Sequence, residues 1–450
     1  MKILHYSLGF SPYRSGGMTR YVEDLMSIQK KDHEVGLLWP GQIRLLNKKI
    51  TIKKHKTESG IASFEMINPL PVPLLEGVRD IPAYIGKGDL DCFLEFLKKE
   101  QPDVIHIHTF MGLYAEFLEA AKQLKIKTVF TTHDYYAICP KVNMLCRGRV
   151  CSTGMGDECC SMCDMNPLSL KKIYILQSPL YRHFKESVLI KLIRRKWARN
   201  KNKGQNEDTN VTRELPCDKG LILPYIQLKE YYQKMLQMIS VVHCNSGLAK
   251  EMYLQFVSVQ NAVVVPISNQ NIVDKRVKKV YNKENAISIT YLGPAGEYKG
   301  YFILTDALDE LNRKYEGGFE LNVYAPIPEK REYIKEHDSF GEGELDLVLN
   351  RADILVAPSI WKETFGFVVL EALSRGIPVI VTENVGAKDL IKQGEQGFII
   401  APCKESLMGA LEQILSEPEL LQRMNECIVK MNFPYTMQIH AEEIFAKIYG

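Results

Sequence analysis

The sequence predicts an α/β protein of two Rossmann-like domains facing a central cleft. Three observations carry that expectation. The chain has 450 residues, more than one hydrophobic core of ordinary size organises. Short apolar runs alternate with amphipathic stretches from residue 2 to about 266, and again from residue 287 onward; that is how strands and crossover helices of parallel sheets read. Near residues 268–285 the alternation lapses, which sets the boundary.

The first domain is read as 1–270. Residues 2–8 make a strand, and Gly16-Gly17 closes a loop before a helix over 19–30 with Tyr21, Val22, Leu25 and Ile28 as its apolar face. A second strand over 33–39 is followed by a loose basic region at 44–56, a hairpin-like 61–67 and the stiff turn Asn68-Pro69-Leu70-Pro71-Val72-Pro73. Helix 89–99 leads to strand 102–108, which carries His106 and His108 at its C-terminal end. Helix 112–124 and strand 127–132 repeat the unit and place His133-Asp134 just past the strand. Residues at that position face ligands in parallel sheets, although strand histidines also serve as core or scaffold, and Asp134 can simply hold its loop.

The order then breaks. Residues 135–166 are aperiodic and contain Cys139, Cys146, Cys151, Cys159, Cys160 and Cys163, six of the chain's eleven cysteines. Residues 171–203 carry eleven Lys and Arg against one acid, with Leu180, Phe184, Val188, Ile193 and Trp197 at near-helical spacing. Pro179 interrupts that stretch, so any helix there is expected from Leu180 onward. Residues 200–218 read as a polar loop, after which helix 228–238, strand 239–244, helix 246–256 and strand 262–266 restore the alternation.

The second domain is read as 285–425: strand 287–292, helix 300–313, strand 319–325, helix 344–350, strand 353–357, helix 366–375, strand 377–381, a helix near 386–392, strand 397–400 and helix 404–415. Residues 426–450 are read as a C-terminal helix crossing back to the first domain.

Composition narrows the function. Hydrophobic content of 46% and charged content of 25% fit a globular protein, and a net charge of +3 is too small to argue for nucleic acid. No signal peptide is read at Met1-Lys2-Ile3-Leu4, and no run of eighteen apolar residues occurs. The expected location is the cytoplasm, with membrane contact only at a surface.

Chemistry concentrates in Ala357 to Val381, where Glu363 lies in a loop after a strand and Glu371 in the helix that follows. A helix beginning near Gly366 offers backbone N–H groups to a diphosphate, and a glycine there lets phosphate approach closely. Glu371, acceptor-only when ionised, suits the two hydroxyls of a ribose. Lys299 can neutralise a diphosphate leaving group. Each has a plainer reading: Glu371 as a helix-dipole carboxylate, Glu363 as a loop acid, Lys299 as surface charge, His133 as a packed or capping residue.

The motif Ser359-x-x-x-Glu363-x-Phe365-Gly366-Phe367, ending in Glu371-Ala372-Leu373 and Gly376-Ile377-Pro378, resembles the signature of the nucleotide-sugar-dependent glycosyltransferases of family 4, retaining enzymes of GT-B fold. The resemblance extends to Gly16-Gly17, the strand ending at His108, Thr132-His133-Asp134, and Tyr291-Leu292-Gly293 to Lys299-Gly300. It implies a nucleoside-diphosphate sugar as donor, bound by Gly16, Gly17, Lys299, Glu363, Phe365, Gly366, Phe367 and Glu371. His133, Glu363 and Lys299 would lie at the reacting centre, with no covalent nucleophile and no metal or other cofactor there. Where the family pattern has an arginine, this chain has Pro294, so one cation of the phosphate clamp is missing.

The run His133-Asp134-Tyr135-Tyr136-Ala137-Ile138-Cys139-Pro140 is similar to the family members that build capsular or surface polysaccharides and carry a cysteine-rich insertion. That resemblance implies a glycan or lipid-linked acceptor. The six cysteines read as ligands of a structural zinc, as free thiols, or as an iron–sulfur centre. The basic segment reads as a solvated helix face or as a patch on an anionic membrane surface, which would make the protein peripheral at the inner face of the plasma membrane. The alternative function is a catalytically idle GT-B-fold partner or scaffold of a polysaccharide synthesis complex.

Overall fold

A computed structural model describes the chain except residues 12–13, 15, 45, 56–59, 74–76, 157, 185–217 and 283–284. The chain divides into two α/β units. The first comprises Met1–Arg147, Cys151–Val242 and Phe256–Asn261, and the second Gly148–Val150, His243–Gln255 and Ala262–Gly450.

The apolar runs of the first half become β1 (Lys2–Tyr6), β2 (Glu34–Pro40), β3 (Thr51–Lys54), β4 (Ala62–Ile67), β5 (Val104–Ile107), β6 (Lys127–Thr131), the two-residue β7 (Leu145–Cys146) and β8 (Arg149–Val150), β9 (Val241–Cys244) and β10 (Ala262–Val264). Eight of them form one sheet in the order β10-β9-β6-β5-β1-β2-β4-β3, and β7 pairs with β8. β1 pairs in parallel with both β2 and β5, β5 with β6 and β2 with β4, while β3 is antiparallel to β4. The chain leaves β1 toward β2 on one side and β5 toward β6 on the other. The gap between β1 and β5 is therefore a switch point, where loops after adjacent strand ends diverge and leave room for a ligand.

The second sheet repeats this logic with β11 (Ile287–Tyr291), β12 (Phe319–Val323), β13 (Ile334–Glu336), β14 (Ile354–Ala357), β15 (Val379–Thr382) and β16 (Gly397–Ile400), in the order β13-β12-β11-β14-β15-β16. β11 and β14 pair in parallel, Ile289 opposite Ile354, and their chains leave in opposite directions. The second switch point thus lies between the loop after β11, which carries Pro294 and Lys299, and the loop after β14, which carries Glu363. Leu304, Leu308 and Leu311 of helix Tyr301–Asn312 recur at helical spacing and are buried in one core with Ile289, Leu321 and Ile354. Burial of each such leucine stabilises the unit by about 1.5–3 kcal/mol.

Several elements differ from expectation. The hairpin expected at 61–67 is the single strand β4, whose antiparallel partner β3 comes from the region read as loose, and β13 lies where no strand is expected. The helix expected over 228–238 runs from Lys219 to Gln237, with Asp218 accepting from the Gly220 amide and Pro224 inside. Burial of Tyr225, Leu228, Tyr232, Met235 and Leu236 offsets the proline. The helix expected near 386–392 is a tight 3₁₀ segment, Gly386–Leu390. The C-terminal stretch forms helices Glu419–Lys430 and Met437–Ile444 and a closing turn, Phe445–Tyr449.

Of the basic segment, residues 171–184 are described, in helices Leu170–Leu176 and Pro179–Phe184. Proline suits a first helical position, where its missing N–H has no partner to lose. The rest of that segment, and nearly all of the loop expected over 200–218, lies outside the described residues. Among the described residues no helix is long and apolar enough to cross a membrane.

Candidate active site

In the second unit, Lys299 ends a 3₁₀ turn, Glu297–Lys299, and Gly300 follows at φ 74°. Only glycine fits there: a Cβ would lie 1.8 Å from the Pro358 carbonyl oxygen. The Tyr298 carbonyl accepts from the Ile360 and Trp361 amides at 3.0 and 3.3 Å. The loops after β11 and β14 are thereby locked together, and that lock sets the distance between the charges they carry.

Lys299 Nζ donates to Glu363 Oε1 at 2.7 Å, and Ser359 Oγ donates to Glu363 Oε2 at 2.8 Å. Lys299 also stands 5.4 Å from the centre of the Trp361 ring, within cation–π range. The backbone of Glu363 is pinned on both sides, its amide donating to Asn384 O at 2.7 Å and its carbonyl accepting from Gly386 at 2.9 Å. Each carboxylate oxygen has one named partner and keeps capacity for another donor. The pair is half-buried, with side-chain exposures of 23% for Lys299 and 16% for Glu363, so the charges are neither lost to solvent nor sealed in the core.

Gly366 sits at φ 96°, and a Cβ there would meet Val385 Cγ1 at 2.8 Å. Helix Phe367–Leu373 begins immediately after it and is seven residues long. Glu371 is its fifth residue and is buried; the first turn contains no acid. A helix-dipole role for Glu371 therefore loses its geometric basis. Phe365 is buried, with its ring edge-on to Phe367 at 5.5 Å. Tyr291 OH donates to Pro294 O at 2.8 Å, so the position expected to carry a cation is a tied-back turn. Ser246, just past β9, donates to Thr364 O at 2.6 Å, and the neighbouring Asn245 is buried with neither side-chain amide atom partnered among the described residues. Neither residue was found from sequence; a polar Asn-Ser at the end of an apolar strand was the available signal.

In the first unit, Gly16 takes φ 129° and helix Gly17–Gln29 starts from it. The strand histidines assemble into a chain. Gln29 Oε1 lies 2.8 Å from His5 Nε2, His5 Nδ1 lies 3.0 Å from His108 Nε2, and His108 Nδ1 lies 3.2 Å from His133 Nε2. An amide oxygen only accepts, so His5 Nε2 carries the hydrogen and its Nδ1 accepts. His108 then donates through Nε2 and accepts through Nδ1, and His133 donates through Nε2, leaving its Nδ1 as the acceptor nitrogen. Burial drives His5 from 6.5 down to about 4, opposed by the bond to Gln29, so it stays neutral at ordinary pH. Tyr21 packs edge-on against His133 at 4.8 Å between ring centres. His106 instead pairs with Thr131 Oγ1 at 2.6 Å and is scaffold.

Ser7 and Thr132, just past β1 and β6, have buried hydroxyls without partners among the described residues. That concentration at the C-terminal strand ends is expected of a ligand-facing edge. Asp134 accepts from the Tyr136 amide at 2.9 Å and so holds the loop start. Burial raises its carboxyl to about 6 against that bond.

The cysteine loop follows directly. The six cysteines of residues 139–163 are all free thiols and line one small cavity. Burial, then crowding by neighbouring thiols, pushes the Cys159 and Cys163 thiols well up, and burial raises Cys139 to about 12. Cys146, Cys163 and Asp164 can bring a sulfur or oxygen ligand atom within 4.8 Å of one another. His5, His106 and His108 meet the same spacing, but their hydrogen bonds to Gln29, Thr131 and each other already account for it.

Residues 15–152 match the family Glycosyltransferase Family 4, and residues 273–430 match Glycosyl transferases group 1. Sucrose synthase of Denitrovibrio acetiphilus is 28% identical over 111 residues, which is 23% of this chain and only 14% of that protein's length. Among solved structures, HepE of Anabaena in complex with UDP superposes at a TM-score of 0.56 and 12% identity, covering 100% of this chain and 99% of that one. WaaG, a glycosyltransferase involved in lipopolysaccharide biosynthesis, superposes at 0.55 and 14% identity, covering 99% and 100%. The fold is GT-B, and two different glycosyltransferase family models each match about a third of the chain, one in either half.

Proposed function

We propose that the protein is a retaining glycosyltransferase that moves a sugar from a nucleoside-diphosphate sugar to a glycan or lipid-linked acceptor in surface polysaccharide synthesis. The observation that carries the reading is the Lys299–Glu363–Ser359 assembly at the switch point between β11 and β14. Lys299 faces the diphosphate and stabilises the charge that grows on it as the bond to the sugar breaks. Glu363, fixed at both oxygens and both backbone groups, accepts from donor-sugar hydroxyls. Glu371 accepts from the ribose. The acceptor oxygen bonds to the anomeric carbon on the face the phosphate leaves, and the acceptor proton passes to the departing phosphate oxygen. His133, its tautomer fixed by His108, offers Nδ1 as an acceptor on the sugar side.

The UDP bound to HepE and the lipopolysaccharide role of WaaG support a nucleotide sugar and a surface glycan. The basic segment at 171–203 would rest on anionic lipid at the inner face of the plasma membrane, near a lipid-linked acceptor. A panel of nucleotide sugars, assayed for hydrolysis and for transfer to lipid-linked acceptors, tests the proposal. One donor should turn over and Glu371→Gln should abolish it; no turnover of any donor would sink the enzyme reading. Pro294 favours the second reading, a catalytically idle GT-B partner in a polysaccharide synthesis complex. Nucleotide-sugar binding without turnover would select it.

A further inference from the structure

The six thiols of the cysteine loop are not equivalent. Cys146 ends β7 and Cys151 follows β8, so the small hairpin offers one pair spaced Cys-x4-Cys; Cys159 and Cys163, on and just past helix Glu158–Ser161, offer a second pair spaced Cys-x3-Cys. Cys151 Sγ and Cys159 Sγ are 4.0 Å apart. Cys151 and Cys146 both crowd the Cys159 thiol, and the Cys146 and Cys163 sulfurs and an Asp164 oxygen lie within 4.8 Å of one another. A disulfide needs about 2.05 Å between sulfurs. Four thiolates around zinc, at a Zn–S distance of about 2.3 Å, place neighbouring sulfurs about 3.8 Å apart.

The other two cysteines are buried away from the Cys151–Cys159 and Cys146–Cys163 pairings. Cys160 Sγ donates to the Gly154 carbonyl at 3.6 Å, as Cys163 Sγ does to that of Leu145 at 3.8 Å. Cys139 is buried at the loop's start, where its thiol meets the backbone of Met144 and Lys141. We propose that Cys146, Cys151, Cys159 and Cys163 hold one structural zinc ion, with Cys139 and Cys160 as packed thiols that do not ligate.

The surroundings fit such a site. Four thiols that each lose a proton to solvent on binding a divalent cation leave a net charge of about −2. Lys141, with its side chain only 10% exposed, stands 2.9 Å from Asp164 Oδ1, and Asp164 also accepts from the Arg147 amide at 2.9 Å. Arg147 in turn donates to the Met162 carbonyl at 3.1 Å. One cation, Lys141, thus stands beside the cluster, while Asp164 is held by Lys141 and the Arg147 backbone amide and its carboxylate accepts from the Cys163 thiol at 3.7 Å. Ligands drawn from a hairpin and a short helix would tie together a loop with little regular structure of its own. This assignment does not depend on the sugar-transfer reading.

The test is zinc content of the full chain, purified in reductant and dialysed against a weak chelator, together with the absorption spectrum after cobalt replacement. About one zinc per chain is expected. Cys146→Ser, Cys151→Ser, Cys159→Ser and Cys163→Ser should each lower zinc retention by more than about tenfold, the least that even an outer-shell partner of a metal ligand costs, whereas Cys139→Ser and Cys160→Ser should keep it. If a ligand variant fails to fold, the cobalt spectrum of the unaltered chain still counts thiolates: strong sulfur-to-cobalt charge transfer with tetrahedral bands is expected. A chain without zinc, zinc retained in all four ligand variants, or an iron–sulfur absorbance would overturn the assignment.

Discussion

His108 sets the tautomer of His133: the two rings meet at 3.2 Å, Nδ1 to Nε2, at the end of a chain that begins on the Gln29 amide. Gln29, on the first helix, is buried and makes no claim on a substrate. Its replacement by leucine should strand the His5 Nε2 hydrogen, remove the bias along the chain and lower turnover about tenfold, the usual scale for a group that orients a functional residue. Donor-dependent thermal shift should change little, and the pH profile of turnover should move. Equal losses of turnover and donor binding would mean that Gln29 only supports the fold.

Glu363 should be more sensitive to loss of charge than to loss of shape. Glu363→Gln keeps the volume but removes the charge paired with Lys299 and leaves one acceptor oxygen where Lys299 and Ser359 now have one each. Turnover should fall by about 100- to 1,000-fold, the range found when a preorganised electrostatic contact is removed. Lys299→Ala should fall as far, and the double variant should be little worse than either single one because the two act as a unit. Kinetics of the three variants with the active donor check this; additive losses would separate the residues.

These two predictions differ in how far the sequence announced them. The Glu363–Glu371 spacing, Lys299 and the strand-loop-helix frame are local, and a carboxylate between two buried strands is legible because it makes poor core material. The histidine chain is not local. His5 and His108 are 103 positions apart and meet because β1 lies beside β5 in the sheet order. Strand order follows from the whole topology, so the alternate spacing of His106 and His108 said only that both rings share a face. The two then part ways, His106 to Thr131 and His108 to the chain. Helix Lys219–Gln237 was underread for a related reason: Pro224 is locally a breaker, and tertiary burial overrides it.

Acid should destabilise the protein before its ordinary carboxylates titrate. His5 and His243 are both driven from 6.5 to about 4, chiefly by burial. The unfolded chain therefore binds protons first as pH falls. Stability from these residues is fully present above pH 6.5 and is lost between 6.5 and 4, by up to ~3 kcal/mol for each group. Asp134 works with the opposite sign: raised to about 6, it costs stability as pH rises from 4 to 6. Denaturant unfolding at pH 7 and pH 5 should show a weaker protein at pH 5. Asp134→Asn should gain on the wild type at pH 7 and not at pH 4. A gain that is the same at both would remove Asp134 from the account.

The lock between the two loops at the second switch point makes Gly300 the sharpest probe of how Lys299 is placed. Gly300 and Gly317 both take left-handed backbone, φ 74° and 72°, but a Cβ at Gly317 meets nothing within 4 Å while one at Gly300 meets the Pro358 carbonyl at 1.8 Å. Gly317→Ala should therefore cost only the conformational penalty, about 1–2 kcal/mol, with donor binding unchanged. Gly300→Ala carries the same penalty plus a clash that must push the loop after β11 away from the loop after β14, about 1–3 kcal/mol more. That movement carries Lys299 off Glu363. Thermal unfolding should rank the two variants in that order, and only Gly300→Ala should lose the donor-dependent shift in melting temperature. Loss of that shift in Gly317→Ala as well would mean that general destabilisation, rather than the position of Lys299, governs donor binding.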